Sequence, residues 1–151
     1  MINVKGKNEQ LDILDTAGQE QFAALQDHWI REAEAFLLVY SVQSQRTFKH
    51  ADDLHKKILR NKEGKRIDMI LVGNKSDLPA PDHEVTYDMG KQLADSWNVP
   101  FLETSAKTGD NVYEAFELLV KEIKNPNPQK RDYYDEDDLV IQQSQGCCTI
   151  L

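Results

Sequence analysis

The chain has 151 residues, of which 40% are hydrophobic and 29% are charged, and this composition indicates one globular domain and excludes a disordered chain. The formal net charge of −8 at pH 7 argues against a nucleic-acid-binding protein, because contacts with phosphates need clustered Lys and Arg. The two cysteines, Cys147 and Cys148, are adjacent. They cannot build a disulfide framework, so they indicate a reducing, cytosolic compartment.

Short apolar runs predict five strands. In chain order they are Ile2–Val4, Leu11–Leu14, Phe36–Tyr40, Met69–Val72 and Pro100–Leu102. We expect the first two to pair antiparallel through a turn at Gly6-Lys7-Asn8. The third and fourth are apolar almost throughout, as expected for parallel strands that are covered on both faces.

Stripes of apolar residues at helical spacing fill the gaps between the later strands. They cover residues 48–59, 89–97 and 112–123 and predict three amphipathic helices. Thr86 is the predicted N-cap of the second helix, and Asp110 or Asn111 that of the third. The alternation of strands and helices predicts an α/β architecture with right-handed crossovers.

The composition changes at Asn125-Pro126-Asn127-Pro128, where two closely spaced prolines end the last helix. The residues beyond this point include an acidic stretch and have no helical stripe. We therefore divide the chain into a globular domain at residues 1–125 and a flexible, mostly acidic tail at residues 126–151.

Polar loops follow three of the predicted strands at their carboxyl ends, where open α/β sheets bind ligands. They are Asp15-Thr16-Ala17-Gly18-Gln19, Gly73-Asn74-Lys75-Ser76-Asp77 and Glu103-Thr104-Ser105-Ala106-Lys107. All three open at one edge of the predicted sheet. We expect them to converge on one ligand.

These loops resemble, in order and spacing, three nucleotide-binding motifs of the Ras superfamily, and the similarity runs from about Ile2 to Lys124. The sequence is nearer to the Ras and Rap branch than to the Rab or Rho branches. The resemblance implies a three-layer, P-loop NTPase-like (small G protein) α/β fold, with residues 1–125 as a partial Ras-like G domain. It also implies a signalling switch that binds GTP and GDP with Mg²⁺ and hydrolyses GTP.

The second and third loops carry the implied guanine contacts. The Asp77 carboxylate can accept from the two adjacent donors of guanine, and it would face a lone pair on adenine. Asn74 can support the loop and reach N7, while the alkyl stem of Lys75 can cover the base. The Ala106 N–H can donate to the guanine O6, with Ser105 fixing a loop that also includes Lys107. Alone, Asn-Lys-x-Asp is equally well explained as a polar turn, but the other two motifs argue against that.

The first loop carries the implied phosphate and metal contacts, in the segment Asp15, Thr16, Ala17, Gly18 and Gln19. The resemblance places Asp15 as the Mg²⁺ residue, usually acting through water, and Gln19 as the residue that orients the attacking water. Gly18 lets its N–H approach the terminal phosphate. Residues 20–34 would be the second switch, which effectors, exchange factors and activating proteins contact. Without its neighbours, Gln19 would be an exposed glutamine at a helix start.

The phosphate loop of the family, Gly-x-x-x-x-Gly-Lys-Ser/Thr, is absent from these residues, as is the threonine-bearing first switch. The remaining motifs can recognise guanine but would hold its phosphates poorly, so we expect an N-terminally incomplete fold with impaired hydrolysis. In the family, the missing strand lies between the strands at Leu11–Leu14 and Phe36–Val42. We expect these two strands to lose their shared partner or to pair directly. The alternative functions are a nucleotide-poor, lipid-anchored module that binds regulators, and a truncated fragment.

The last four residues, Cys148-Thr149-Ile150-Leu151, fit the C-terminal prenylation pattern, and the terminal leucine favours a geranylgeranyl group. One lipid gives only marginal membrane binding. The acidic tail offers no polybasic patch, so Cys147 is the candidate for a second lipid. The resulting expectation is a location on the cytoplasmic face of a membrane, with the plasma membrane as first candidate. The alternative is an unmodified Cys-Cys end.

Overall fold

The structure is a computed structural model that describes residues 2–4, 6–15, 23–63, 65, 67–124 and 148–150. The described helices are α1 (Ala23–Glu32), α2 (Gln45–Lys62), α3 (Tyr87–Ser96) and α4 (Val112–Lys124), with a short 3₁₀ turn at Ala80–Asp82. The described strands are β1 (Ile2–Val4), β2 (Lys7–Glu9), β3 (Leu11–Ile13), β4 (Ala35–Ser41), β5 (Asp68–Asn74), β6 (Phe101–Thr104) and β7 (Cys148–Ile150).

A parallel sheet in the order β3-β7-β4-β5-β6 forms the centre of the domain. Strand β5 is buried from Asp68 to Gly73, because one apolar cluster covers each of its faces. Met69 and Leu71 belong to the cluster shared with α2 and α3, whereas Ile70 and Val72 face α4. This alternation confirms the predicted three-layer α/β fold, with strands covered on both sides.

The hairpin at the beginning of the described chain differs from the prediction. Strand β1 pairs antiparallel with β2, in a register that sets Ile2 opposite Glu9 and Val4 opposite Lys7. The predicted pairing with Leu11–Leu14 is therefore wrong. The physical reason is the tight turn, in which Gly6 adopts φ +80°, so that the residues directly after it already form the partner strand. Glu9 also makes an ion pair of 2.6 Å with Lys124 of α4.

The C-terminal strand β7 lies between β3 and β4. Cys148, Thr149 and Ile150 pair in parallel with Leu11, Asp12 and Ile13, and Ile150 also pairs with Ala35 of β4. The two expectations for β3 and β4, loss of a partner or direct pairing, are both wrong, because this segment supplies backbone partners between them. The predicted tail residues 126–147 lie outside the described residues.

The N-cap side chains of α2 and α3 each accept a hydrogen bond from a backbone N–H in the first turn of the helix. Ser44 Oγ accepts from the N–H of Thr47 at 3.4 Å, and Thr86 Oγ1 accepts from that of Met89 at 3.3 Å; the latter confirms the predicted N-cap. Helix α1, which lies within the predicted second switch, packs on α2. The Lys62 ammonium donates to the Ala33 carbonyl at 2.6 Å, just beyond the end of α1. Within the described part of the chain, no helix is long and apolar enough to cross a membrane.

Tyr40 on β4 is 1% exposed and fills a space that depends on two glycines. Its ring meets Phe48 of α2 edge-on, with the centroids 4.9 Å apart. A Cβ atom at Gly73 would lie 2.9 Å from the Tyr40 hydroxyl, and one at Gly90 of α3 would overlap both that hydroxyl and the Phe101 ring. Close packing of α3 on the sheet therefore requires glycine at position 90.

We expect Gly90→Ala to destabilise the protein. Overpacking costs about 1–3 kcal/mol, whereas the better helix propensity of Ala returns roughly 1 kcal/mol, so a net loss on the order of 1 kcal/mol should lower the thermal midpoint by several degrees. Gln92→Ala, at an exposed position of the same helix, is the matched control. A Gly90→Ala protein that melts at or above the parent's midpoint would contradict the packing described for Tyr40.

Candidate functional site: the loops at the ends of β5 and β6

Two of the predicted loops meet because β5 and β6 are in register. Asn74, the last residue of β5, pairs with Thr104, the last residue of β6. The N–H of Ser76 then donates to the Thr104 carbonyl at 3.0 Å, which extends the contact beyond the strands. The segments Asn74–Asp77 and Ser105–Lys107 are thus brought together as predicted.

The Asp77 carboxylate is held by Ser105. The Ser105 hydroxyl, in a residue that is 0% exposed, donates to Asp77 Oδ1 at 2.6 Å. This hydrogen bond is the main reason why the pKa of Asp77 is lowered, and Lys107, with its ammonium 3.7 Å from Asp77 Oδ2, contributes further. The carboxylate is therefore ionised at neutral pH. Each oxygen keeps lone pairs for additional donors.

The Asn74 side chain connects the two loops. Its Oδ1 accepts from the N–H of Ala106 at 3.0 Å and from the Thr104 hydroxyl at 3.4 Å. This arrangement agrees with the predicted role of Asn74 in loop support. The Ala106 N–H, which the sequence analysis assigned to guanine O6, donates to Asn74 in this structure, so its contact with guanine stays a prediction.

Lys75 adopts a left-handed conformation with φ 71°, which is uncommon for a residue with a Cβ atom. Its ammonium lies 3.3 Å from Gln43 Oε1, in the loop after β4. Gln43 was not among the predicted site residues, because no sequence motif marks it. The contact links the loop after β4 to the Asn74–Asp77 segment.

A compact turn supports Ser105 from the other side. The Ser105 hydroxyl accepts from the N–H of Thr108 at 3.1 Å, and the Ser105 carbonyl accepts from that of Gly109 at 2.8 Å. Gly109 has φ +87°, which favours glycine. The Thr108 hydroxyl donates to Asp110 Oδ2 at 2.6 Å. The sequence analysis missed Thr108, although Thr-Gly-Asp is a composition typical of such turns.

The two predicted N-cap residues of α4 use their side chains within this loop. Asp110 accepts from Thr108, while the Asn111 side-chain amide donates to the Glu103 carbonyl at 2.9 Å. Asn111 has φ 57°, unlike the extended backbone typical of an N-cap. The N–H of Ala115 nevertheless donates to the Asn111 carbonyl at 3.0 Å.

Comparison with known proteins finds relatives of this chain. The sequence matches the family model of the Ras family over residues 1–125. It is 46% identical over 133 residues to the Ras-like protein rasC of Dictyostelium discoideum, which spans 87% of this chain and 70% of that protein. It is 40% identical over 144 residues to Ras-like protein 2 of Mucor circinelloides f. lusitanicus, which spans 93% of this chain and 70% of that protein.

The chain belongs to the Ras family. Members of this family are small GTPases that act as GTP-binding signalling switches. In this Ras-family chain, the assignment of the two described loops to the guanine side of a nucleotide site stays a prediction. The family assignment therefore agrees with the resemblance found in the sequence.

The phosphate side of the Ras-type site is described only in part. Asp15 is exposed and follows β3 at the edge of the sheet where the other loops open. Thr16, Ala17, Gly18 and Gln19 lie outside the described residues, so their roles stay predictions. No group of three or more His, Cys, Asp or Glu side chains that could hold a metal occurs in the described part. Asp15 fits Mg²⁺, which takes one or two carboxylates and fills its shell with water and phosphate oxygens.

The sequence contains Gly-Lys pairs at positions 6–7, 64–65 and 90–91. The structure places two of them, and neither forms a phosphate-binding loop of the Ras type. Gly6 and Lys7 belong to the hairpin of β1 and β2. Gly90 and Lys91 lie inside α3, where Lys91 forms an ion pair with Asp95. Gly64 lies outside the described residues.

Glu103 is the first residue of the third Ras motif and lies beside the candidate site. Among the described carboxylates near the site, it is the one whose surroundings most disfavour the charged form. Burial raises its pKa above the ordinary value of 4.5, and the charge of His83 opposes the shift. Tyr40 on β4 is the other titratable group that interacts with it electrostatically. The folded protein consequently binds the Glu103 proton more tightly than the unfolded chain does.

We expect the contribution of Glu103 to the free energy of unfolding to be largest below its unfolded pKa of about 4.5 and to be lost as the pH rises through the folded value. Glu103→Gln removes this titration. The thermal midpoint of the variant, relative to the parent, should therefore rise between about pH 4 and pH 7. Glu114→Gln, at an exposed position of α4, is the control. A relative midpoint that falls over this range would show that the Glu103 pKa is lowered instead.

Proposed function

We propose that this chain is a Ras-like molecular switch that binds GDP and GTP, with hydrolysis of GTP to GDP, and acts in signal transduction at a membrane. The observation that carries the proposal is the network in which Ser105 holds the Asp77 carboxylate and Asn74 holds the Ala106 loop. This network presents an ionised acceptor and a hydrogen-bonded loop at the carboxyl ends of β5 and β6. Membership of the Ras family supports it independently.

Guanine selectivity would follow from the charge and position of Asp77. Guanine presents an N1–H and an exocyclic amine side by side, and both can donate to one carboxylate. Adenine presents a lone pair at N1, which the ionised Asp77 would repel. Because Ser105 already lowers the pKa of Asp77, the acceptor is charged before nucleotide arrives.

Hydrolysis would use the residues after β3. In this proposal Gln19 orients the attacking water and Gly18 donates its N–H to the terminal phosphate. Asp15 would hold Mg²⁺ through water, and the ion when bound neutralises charge on the phosphate oxygens. The sequence lacks the phosphate-loop pattern that supplies a nest of N–H groups and a lysine. For residues 1–151 alone, the proposal therefore includes slower hydrolysis than in relatives that carry this pattern.

Partner recognition is assigned to the second switch at residues 20–34, of which α1 is the largest described part. Helix α1 is attached to α2 by an ion pair of 2.9 Å between Lys57 and Asp27 and by the contact of Lys62 with the Ala33 carbonyl. The Asp27 side chain is 40% exposed, so screening by solvent weakens its ion pair. A surface attached in this way can change its position when nucleotide changes, as binding of effectors, exchange factors and activating proteins requires.

We expect the parent chain to bind GDP with Mg²⁺ in preference to ADP, and Asp77→Asn to reduce that preference at least about tenfold, because hydrogen bonds to charged acceptors contribute roughly 1.5–3 kcal/mol each. Isothermal titration with GDP and ADP measures both affinities. Asp82→Asn, at an exposed position of the 3₁₀ turn, is the control. An unchanged preference in Asp77→Asn would refute the assigned role of Asp77.

A second candidate function rests on the missing phosphate-loop pattern. In it, the chain is a lipid-anchored module that binds regulators through the second switch and has little nucleotide affinity. The same titration separates the two. Tight, guanine-selective binding supports the switch, whereas a folded parent chain that binds neither nucleotide supports the module.

The proposed membrane anchor is a geranylgeranyl group on Cys148, with Cys147 as the site of a second lipid. In the structure the Cys148 backbone pairs with Leu11. The segment would therefore leave the sheet before a modifying enzyme could bind it. This requirement links anchoring to the stability of β7.

We expect Cys148→Ser to move the protein from the membrane fraction to the cytosol, because it removes the prenylated sulfur while leaving the β7 backbone able to pair. Fractionation of cells that express the tagged chain measures the shift. Cys147→Ser, the neighbouring control, should retain the first lipid and weaken membrane residence only partly. Full membrane retention of Cys148→Ser would count against the lipid anchor.

A further inference from the structure

Two buried side-chain oxygens on one face of the sheet have no hydrogen-bond partner among the described residues: Tyr40 Oη and Glu103 Oε1. Tyr40 is 1% exposed. Buried hydroxyl and carboxyl groups in folded proteins are almost always hydrogen-bonded, to protein or to ordered water. Each of these two oxygens therefore requires a partner.

Both side chains lie over Gly73. The sheet register sets Tyr40 opposite Gly73 and Gly73 opposite Glu103, so that all three lie on one level of neighbouring parallel strands. A Cβ atom at Gly73 would be 2.9 Å from Tyr40 Oη and 3.4 Å from Glu103 Cγ. Because glycine has no Cβ, the hydroxyl and the carboxyl-bearing side chain face each other across that position.

The electrostatics of the two groups are coupled. Burial raises the pKa of the Tyr40 hydroxyl, and the charge of Glu103 raises it further. Burial also raises the pKa of Glu103, whereas His83 lowers it. Both shifts are consistent with the geometry, which sets the two side chains side by side over Gly73.

This environment lies directly beneath the two loops of the candidate site. Gly73 precedes Asn74, and Glu103 precedes Thr104 and Ser105. The Glu103 carbonyl also accepts from the Asn111 side-chain amide at 2.9 Å. A hydrogen bond from the Glu103 side chain to Tyr40 would therefore fix the end of β6, and with it the Ser105 loop, relative to β4.

We propose that one buried water joins the Tyr40 hydroxyl to the Glu103 carboxyl across Gly73, and that this bridge positions Asn74 and Ser105 for guanine. Tyr40 would donate its O–H to the water, and the water would donate to Glu103 Oε1. A water with two polar partners in a space bounded by protein is a usual feature of protein interiors. The positioning role rests on the proposed guanine binding; the bridge itself does not.

The test is a double-mutant cycle with Tyr40→Phe, Glu103→Met and the double variant. Phe keeps the buried ring and Met keeps the length of the side chain, so each change removes one end of the bridge. We expect each single variant to weaken GDP binding about three- to tenfold, as for loss of one hydrogen bond, and the double variant to be no weaker than the worse single one. Glu103→Gln retains an acceptor and should keep most of the affinity.

Amide hydrogen exchange without nucleotide gives a second readout. The N–H groups of Ser76 and Ala106 bridge the two loops, and we expect both to exchange faster in Tyr40→Phe and Glu103→Met. Tyr87→Phe and Glu114→Met, at exposed positions of α3 and α4, are the matched controls. All measurements are made well below the melting transition of each variant.

Additive effects of the two changes on the free energy of unfolding would show that no bridge exists and would overturn the proposal. Coupled unfolding with unchanged GDP affinity and unchanged amide exchange would overturn the positioning role. If the folded parent chain binds no GDP, the proposed function fails. The exchange of Ser76 and Ala106 then decides alone whether the bridge positions the loops.

Discussion

The parallel register of β4, β5 and β6 is the constraint on which the described site depends. It sets Ser41 beside Asn74 and Asn74 beside Thr104, so the three strands end at nearly the same level. Loops that leave the sheet there must meet, and their side chains find partners across strands rather than along the chain. A shift of one residue between β5 and β6 would turn alternate side chains to the opposite face. The contact of Ser105 with Asp77 would then be lost.

The same register places an ionised carboxylate and a carboxyl group whose charge is disfavoured by burial at this edge of the sheet. Asp77 keeps its charge because the Ser105 hydroxyl donates to it, whereas burial disfavours the charge of Glu103 two residues before Ser105. Two carboxyl groups that are distant in sequence but lie at the same edge of the sheet thus have pKa values shifted in opposite directions by their surroundings. The ionised one faces the open end of the sheet. The other lies against Tyr40, over a glycine whose missing Cβ makes room for the hydroxyl.

The sequence predicted β4 and β5 to within two residues, because long apolar runs of parallel strands are strong local signals, and its motifs located both loops of the candidate site. It did not predict the contact between Lys75 and Gln43, because that contact depends on how two loops approach each other in space. It assigned β1 to the wrong partner, since the choice between Lys7–Glu9 and Leu11–Leu14 depends on the conformation of Gly6. It missed β7, because Cys-Thr-Ile has no alternation and its partners are distant along the chain.

The position of β7 has a consequence for the proposed anchor. Strand β3 needs a neighbour to satisfy its backbone groups, and Cys148–Ile150 supplies one. These are also residues of the proposed prenylation motif, so a modifying enzyme could bind the segment only after it has left the sheet. A strand of three residues makes few hydrogen bonds, each with a net contribution of about 0.5–1.5 kcal/mol. Its release would therefore cost only a few kcal/mol, and in the proposed anchoring the lipidation of Cys148 would be linked to the completeness of the sheet through that modest free energy.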